Sequence, residues 1–290
     1  MIVCPSCATK NIHAMNGCPT CGFTPASIDG FLAWSPELAK NNDGFPQESF
    51  EGLARVEADN FWFRARNAII LWALRKYFPG FHSLLEVGCG TGFVLSGIVQ
   101  AFPNARMAGS EIYTAGLAFA AKRLPGVELL QMDARKLPYE AEFDVIAAFD
   151  VIEHILEDEL VLQNLHRAIK PGGGCLITVP QHQWLWSHVD EAACHKRRYS
   201  AKELHKKIEA AGFSIIRSTS FVSLLLPLMI ASRLATRRPD AKCGGDELAL
   251  NPNVNRMLEA VMLIEHRLIK LGINFSFGGS RLVVAKKESQ

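Results

Sequence analysis

The chain has 290 residues, 49% of them hydrophobic and 21% charged, with a formal net charge of +2. That composition excludes a disordered or low-complexity polymer, and the near-neutral balance gives no basic field of the kind nucleic-acid binders show. The length suits one large α/β domain with a small appendage.

The N-terminus, MIVCPSCATK, has no basic stretch leading into an apolar run, so no secretory signal is expected and a cytoplasmic location is. Four of the eight cysteines fall in the first twenty-one residues, as Cys4-Pro5-Ser6-Cys7 and Cys18-Pro19-Thr20-Cys21-Gly22. Two C-x2-C turns ten residues apart let four thiolates converge on one tetrahedral ion. So short a module cannot bury a core, and the metal would supply its folding energy. Residues 1–24 therefore read as a zinc ribbon with ligands Cys4, Cys7, Cys18 and Cys21, serving docking, nucleic-acid contact or bracing; iron would take the same ligands. Cys89, Cys175, Cys194 and Cys243 read as small incidental thiols.

Residues 25–58 carry Pro25, Gly30, Pro36, Gly44 and Pro46 with little periodicity, which predicts a linker. From Asn60 the segment FWFRARNAIILWALRKYF has near-helical apolar spacing and is stopped by Pro79-Gly80. Beyond it, strands are expected at Ser83 to Val87, Arg106 to Ser110, Glu128 to Gln131, Phe143 to Phe149, Gly174 to Val179, Phe213 to Ser220 and Gly279 to Ala285. Helices are expected at Gly92 to Ala101, Thr114 to Lys122, Leu156 to Ile169 and Ala201 to Ala211. This alternation predicts an α/β fold: a doubly wound, mostly parallel seven-stranded sheet with helices on both faces and ligands at the strands' carboxyl ends. The domain would span 59–290.

Gly88-Cys89-Gly90-Thr91-Gly92 is the turn from the first of these strands into a helix, where alternate glycines let a ligand lie against backbone amides. Phe93 and the preceding Glu86 disfavour a dinucleotide fingerprint. Glu111 ends the next strand, where a carboxylate accepts ribose hydroxyl hydrogens. Asp133 ends the one after, in place for an exocyclic adenine amine. Three acids repel a pyrophosphate and suit a ligand carrying positive charge.

E-V-G-C-G-T-G, the acid Glu111, M-D-A and F-D-V-I-A-A-F-D-V-I-E-H-I resemble the sequential motifs of class I S-adenosylmethionine-dependent methyltransferases. NFWFRARN, FDVIEHI and VPQHQWLWS…DEAACHKRRYSAKEL are similar, more narrowly, to bacterial small-molecule methyltransferases, distantly like ubiquinone-biosynthesis O-methyltransferases. The resemblance implies that Glu86, Gly88, Gly90 and Gly92 hold the methionine portion of S-adenosylmethionine, Glu111 the ribose, Ile112 the adenine face, and Asp133 with Ala134 the adenine edge. Phe149 and Asp150 would close the site, and Arg64 and Arg66 would face the cofactor carboxylate or cover it.

Methyl transfer is an in-line displacement that needs alignment, exclusion of water and, for a hydroxyl, a general base. His154 and His195 are the candidate bases, with His182 and His188 behind them. Trp184 and Trp186 could wall an apolar or aromatic substrate, or only pack; Lys196, Arg197 and Arg198 could grip an anion, or be solvated. FVSLLLPLMIA, followed by basic residues through Lys242, is too short to cross a bilayer. With a helix at Leu258 to Leu271 it makes 222–275 an insertion, either a buried lid or a membrane-surface element, which leaves room for an apolar or lipid-like small-molecule substrate. Two rivals stay open: an RNA-modifying methyltransferase, disfavoured by charge and by the absence of an N-P-P-Y loop, and a ribbon-bearing interaction protein that binds the cofactor without turning it over.

Overall fold

In the computed structural model, residues 1–13, 17–40, 45–235 and 250–289 are described. Cys243 and most of the basic stretch after the FVSLLLPLMIA segment lie outside them. One sheet organises the molecule. Its strands are β1 (Ala26–Ile28), β2 (Phe31–Ala33), β3 (Ser83–Val87), β4 (Arg106–Glu111), β5 (Glu128–Gln131), β6 (Phe143–Phe149), β7 (Ile169–Pro180), β8 (Phe213–Phe221) and β9 (Ser280–Lys287). They lie in the order β1-β2-β5-β4-β3-β6-β7-β9-β8, with β1 and β9 running against the rest.

The sheet thus has nine strands where the sequence predicts seven. The difference comes from the stretch read as linker, which supplies the β1–β2 hairpin around Asp29-Gly30, both in the left-handed region. Leu32 and Ala33 then pair with Leu130 and Gln131 and extend the sheet beyond β5. Three-residue strands are too short to show an alternation, so proline and glycine dominate the reading there. Ser49–Val56 (α1), also in that stretch, is helical.

Crossover helices α3 (Phe93–Ala101), α4 (Thr114–Arg123), α5 (Asp158–Ala168) and α7 (Ala201–Ala210) follow the expected alternation. The entry helix α2 (Phe61–Tyr77) is capped by Asn60, whose side chain accepts the Trp62 N–H at 2.9 Å. A short α6 (His188–Ala192) precedes α7. α8 (Leu226–Ala235) and α9 (Pro252–Lys270) form the insertion. Pro227 falls in the first turn of α8, where a missing N–H costs no helical bond. Leu258, Met262 and Ile269 face the core, whereas Leu228, Met257 and Ile264 are exposed. Among the described residues no helix is long and apolar enough to cross a membrane.

β3 is buried at all five positions, and the sheet winds outward from it in both directions: β4 and β5 on one side, β6 and β7 on the other. The crevice above the carboxyl ends of β3 and β6 is therefore the topological switch point, where doubly wound sheets take their ligands. The N-terminal module is docked on the domain. Val3 donates its N–H to Pro138 O at 2.9 Å, and Cys4, Ile12 and Cys18 share a core with Leu130, Met132 and Tyr139.

Candidate active site

The loop leaving β3 holds Gly88, Gly90 and Gly92 at φ of 69°, 52° and 74°, the left-handed region that glycine enters without steric cost. At Gly88 a Cβ would lie 2.5 Å from Val151 Cγ2, so the loop after β3 and the loop after β6 touch there. Gly90 faces only Phe50, 3.6 Å from where its Cβ would be. Phe50 also lies over Gly116, so α1 covers the glycine loop. Glu57, just past α1, accepts the Thr91 hydroxyl on both oxygens at 2.8 Å and pairs with Arg123.

The acids stand at the strand ends as the sequence predicts. Glu111 is buried and bridges two loops: Oε2 accepts Gly90 N–H at 3.0 Å, and Oε1 accepts the N–H groups of Ile112 and Tyr113 at 2.8 and 3.2 Å. Burial still raises its pKa above the carboxylate range, against those three donors. Glu86, the fourth residue of β3, is 2% exposed and its Oε2 has no hydrogen-bond partner. Burial pushes it up to about 8, with the Arg66 charge opposing and the Glu111 charge adding to the shift. A buried carboxylate with an orphaned oxygen beside an amide-lined loop fits a ligand bearing an ammonium or sulfonium group.

Asp133 lies two residues past β5 and is paired with Arg135, whose Nε lies 3.0 Å from both oxygens; Ala134 beside it is buried and Ile112 half-buried. Phe149 is buried at the end of β6. Asp150 follows at φ 55° and accepts from Arg66 Nη1 at 2.5 Å and Thr178 Oγ1 at 3.1 Å. Arg66 lies over the Trp62 ring, 4.5 Å from its centroid, with its Nε unpartnered. Arg64 is placed apart from this group: it forms a bidentate pair with Glu259 and joins α2 to α9. A residue two positions from Arg66 on a helix points away from it, which the sequence reading of the Arg64/Arg66 pair overlooked.

His154 and His195 come together, with ring centroids 4.7 Å apart at 78°. Burial, then the neighbouring His195, lowers His154 to about 3, so its ring is neutral. His195 Nδ1 lies 2.9 Å from Asp190 Oδ1. Asp190 is fully buried, yet despite that desolvation it is held at about 2 by His195, Arg198 and Arg233. Phe45 connects this group to Phe50 over the glycine loop, meeting His154 edge-on at 6.0 Å and Phe50 at 5.3 Å.

Arg198 is buried and spent on Asp190 and the Gln181 carbonyl, and Arg197 pairs with Asp158. Both guanidinium groups are held in ion pairs within the chain, and Lys196 is exposed. Trp184 is exposed and stacks on His182, whose other face meets Phe277; Trp186 is half-buried, as is His188. In an open cleft of about 640 Å³, lined by Leu156, Gln183, Arg197 and Lys207 among others, Asp158 is already paired with Arg197 and Lys207. Nothing in it matches the glycine loop.

In the N-terminal module, the sulfurs of Cys4, Cys7, Cys18 and Cys21 lie within 4.8 Å of one another, with Cys4–Cys21 at 3.6 Å and Cys7–Cys18 at 3.5 Å. A tetrahedral Zn–S bond of ~2.3 Å puts neighbouring sulfurs ~3.8 Å apart, so the quartet fits zinc with little movement.

Sequence reasoning missed Phe45, Phe50, Glu57, Glu153 and Asp190. The first three lie in or next to the apparent linker. Glu153 was overlooked although it adjoins His154, and Asp190 reads as the fourth residue of a helix-start S-x-x-D pattern.

Residues 85–177 match the family model described as a methyltransferase domain. A "probable S-adenosylmethionine-dependent methyltransferase" of Mycolicibacterium smegmatis is 29% identical over 172 residues, covering 58% of this chain and 64% of that one. The demethylmenaquinone methyltransferase of Chlorobaculum tepidum is 28% identical over 131 residues, covering 44% and 52%. The chain thus spans between half and two thirds of the length of these curated relatives. Among solved structures, the cyclase SpnF superposes with a TM-score of 0.53 at 21% identity, over 79% of this chain and 84% of that one. That likeness shows the fold alone.

Proposed function

We propose that the chain is a methyltransferase that moves the sulfonium methyl group of S-adenosylmethionine to an oxygen of a small-molecule acceptor. The observation that carries this reading is the buried Glu86 carboxylate, its Oε2 unpartnered, beside a three-glycine loop whose Gly90 amide is tied to Glu111. In it, Glu86 receives the cofactor's positive methionine portion and Arg66 its carboxylate. Glu111 exchanges its amide bonds for ribose hydroxyls, and Asp133, Ala134 and Ile112 frame the adenine. The domain match and relatives that act on small molecules, demethylmenaquinone among them, support the same assignment.

Inversion at the methyl carbon needs the acceptor oxygen opposite the sulfur, in a site closed to water. Phe45 and Phe50 supply an apolar cover on the cofactor side, and His154 with His195 face the region where the acceptor would sit. The exposed apolar side chains of α8 and α9 are consistent with an acceptor that is itself apolar or presented at a lipid surface. For the N-terminal quartet the reading is a structural zinc site that braces the edge of the sheet.

The test is thermal denaturation with S-adenosylmethionine, S-adenosylhomocysteine or NAD, run beside Glu111→Ala. A ligand at a hundred times its Kd adds ~2.7 kcal/mol and raises the Tm by a few degrees. A rise with the first two only, reduced in the variant, supports the reading; no rise with either sinks it.

A further inference from the structure

Glu153, His154 and His195 form a cluster that methyl transfer by itself leaves unexplained. One ligand atom from each lies within 4.8 Å of the other two. Glu153 is fully buried, and neither of its carboxylate oxygens has a hydrogen-bond partner. Such a group is costly unless a proton or a cation answers it.

The nearby cations are engaged elsewhere. Arg66 binds Asp150, Arg198 binds Asp190, and Lys196 gives only its backbone N–H to the Glu153 carbonyl oxygen. His154 adds a second orphan, its buried Nδ1. His195 is oriented: Asp190 Oδ1 engages its Nδ1 at 2.9 Å, which leaves Nε2 as the ring nitrogen available to a metal. Asp190 is fixed in turn by Arg198 at 2.6 Å and by the Ser187 N–H at 2.9 Å. A carboxylate behind an imidazole is the usual support of a metal-ligating histidine.

We propose that Glu153, His154 and His195 bind a divalent transition-metal ion beside the cofactor loop, at the place where the acceptor is activated. Two imidazoles and one carboxylate suit Zn²⁺, Fe²⁺ or Mn²⁺, and three protein ligands leave open positions for an acceptor oxygen. The chemistry rests on the methyl-transfer reading and narrows the acceptor to hydroxyl compounds. A hydroxyl coordinated at the ion loses its proton to solvent at lower pH. Its oxygen then forms the new O–CH3 bond as the sulfonium S–CH3 bond breaks, releasing a neutral thioether.

The full chain, stripped of metal and dialysed against Co²⁺, tests this. Wild type, Glu153→Gln and His195→Ala are compared for Co²⁺ content, absorption spectrum and stabilisation by S-adenosylmethionine. The proposal expects each variant to hold about one ion fewer per chain than wild type, while the thiolate-to-cobalt charge-transfer band of the cysteine quartet is unchanged. Asp190→Asn, which keeps all three ligands, should weaken Co²⁺ binding at this site ~10- to 100-fold. Equal Co²⁺ content in wild type and both variants overturns the metal site, whatever the cofactor does. Loss of one ion in the variants, in a protein that no cofactor stabilises, upholds the site and removes the methyl-transfer reading instead.

Discussion

Glu86 offers the sharpest test of the cofactor site, because one side chain couples pH to both folding and binding. In the unfolded chain it titrates near the ordinary 4.5, and in the fold near 8. Below 4.5 both states hold the proton and the full stability is present. As pH rises from 4.5 towards 8 the unfolded chain gives up the proton and the folded one keeps it, so stability falls, and it levels off above 8. The span corresponds to a loss on the order of 5 kcal/mol at most, before relaxation of the site is allowed for. Cofactor binding runs the other way, since a positively charged ligand selects the ionised carboxylate. The apparent Kd for S-adenosylmethionine should drop about thirtyfold between roughly pH 5.5 and 7.0, with close to one proton released per cofactor bound.

Isothermal titration calorimetry in two buffers of different ionisation enthalpy reads both quantities. Glu86→Gln mimics the protonated acid, so it should fold at least as stably as wild type at pH 8, bind more weakly and lose the pH slope. A flat wild-type Kd across that range, or a variant that keeps the slope, refutes the assignment of Glu86.

Three further outcomes bear on the rest of the molecule. Gly88→Ala brings a Cβ to 2.5 Å from Val151 Cγ2 in a left-handed backbone; it should cost ~1–3 kcal/mol in urea denaturation and weaken cofactor binding. Arg64→Ala breaks the half-exposed pair with Glu259; it should cost about 1 kcal/mol or less and leave the cofactor Kd unchanged. Cys18→Ser should lower the zinc content of the purified chain by about one ion, measured by mass spectrometry, while cofactor binding persists.

The alternating half of the fold was legible because β3 and β6 are buried almost end to end and stand out as mostly apolar runs bounded by turn residues, with helices between the strands. The acids at the strand ends were legible for the same reason: once Leu84 to Val87 is a strand, Gly88 to Gly92 can only be the turn at its carboxyl end. Elements held by a few long-range contacts were not. The β1–β2 hairpin owes its existence to Leu130 and Gln131, a hundred residues away, and Phe50 to the open face of Gly90 and Gly116. The separate placements of Arg64 and Arg66 depend on helix phase and on Glu259, which only the folded α9 brings near. The Asp190–His195 pair likewise needs the turn after α6, which no periodicity announces.

The β1–β2 hairpin closes one of the two edges of the sheet. Without residues 26–33 the sheet would end at β5, whose backbone groups on that side would be free to pair with another copy. With the hairpin in place the outermost strand is three residues long, too short to template a partner. A shortened chain beginning at Pro36 would keep the glycine loop and every acid around it, yet it would carry an open strand edge into solution. Self-association on concentration, rather than loss of the ligand site, is what such a chain would show first.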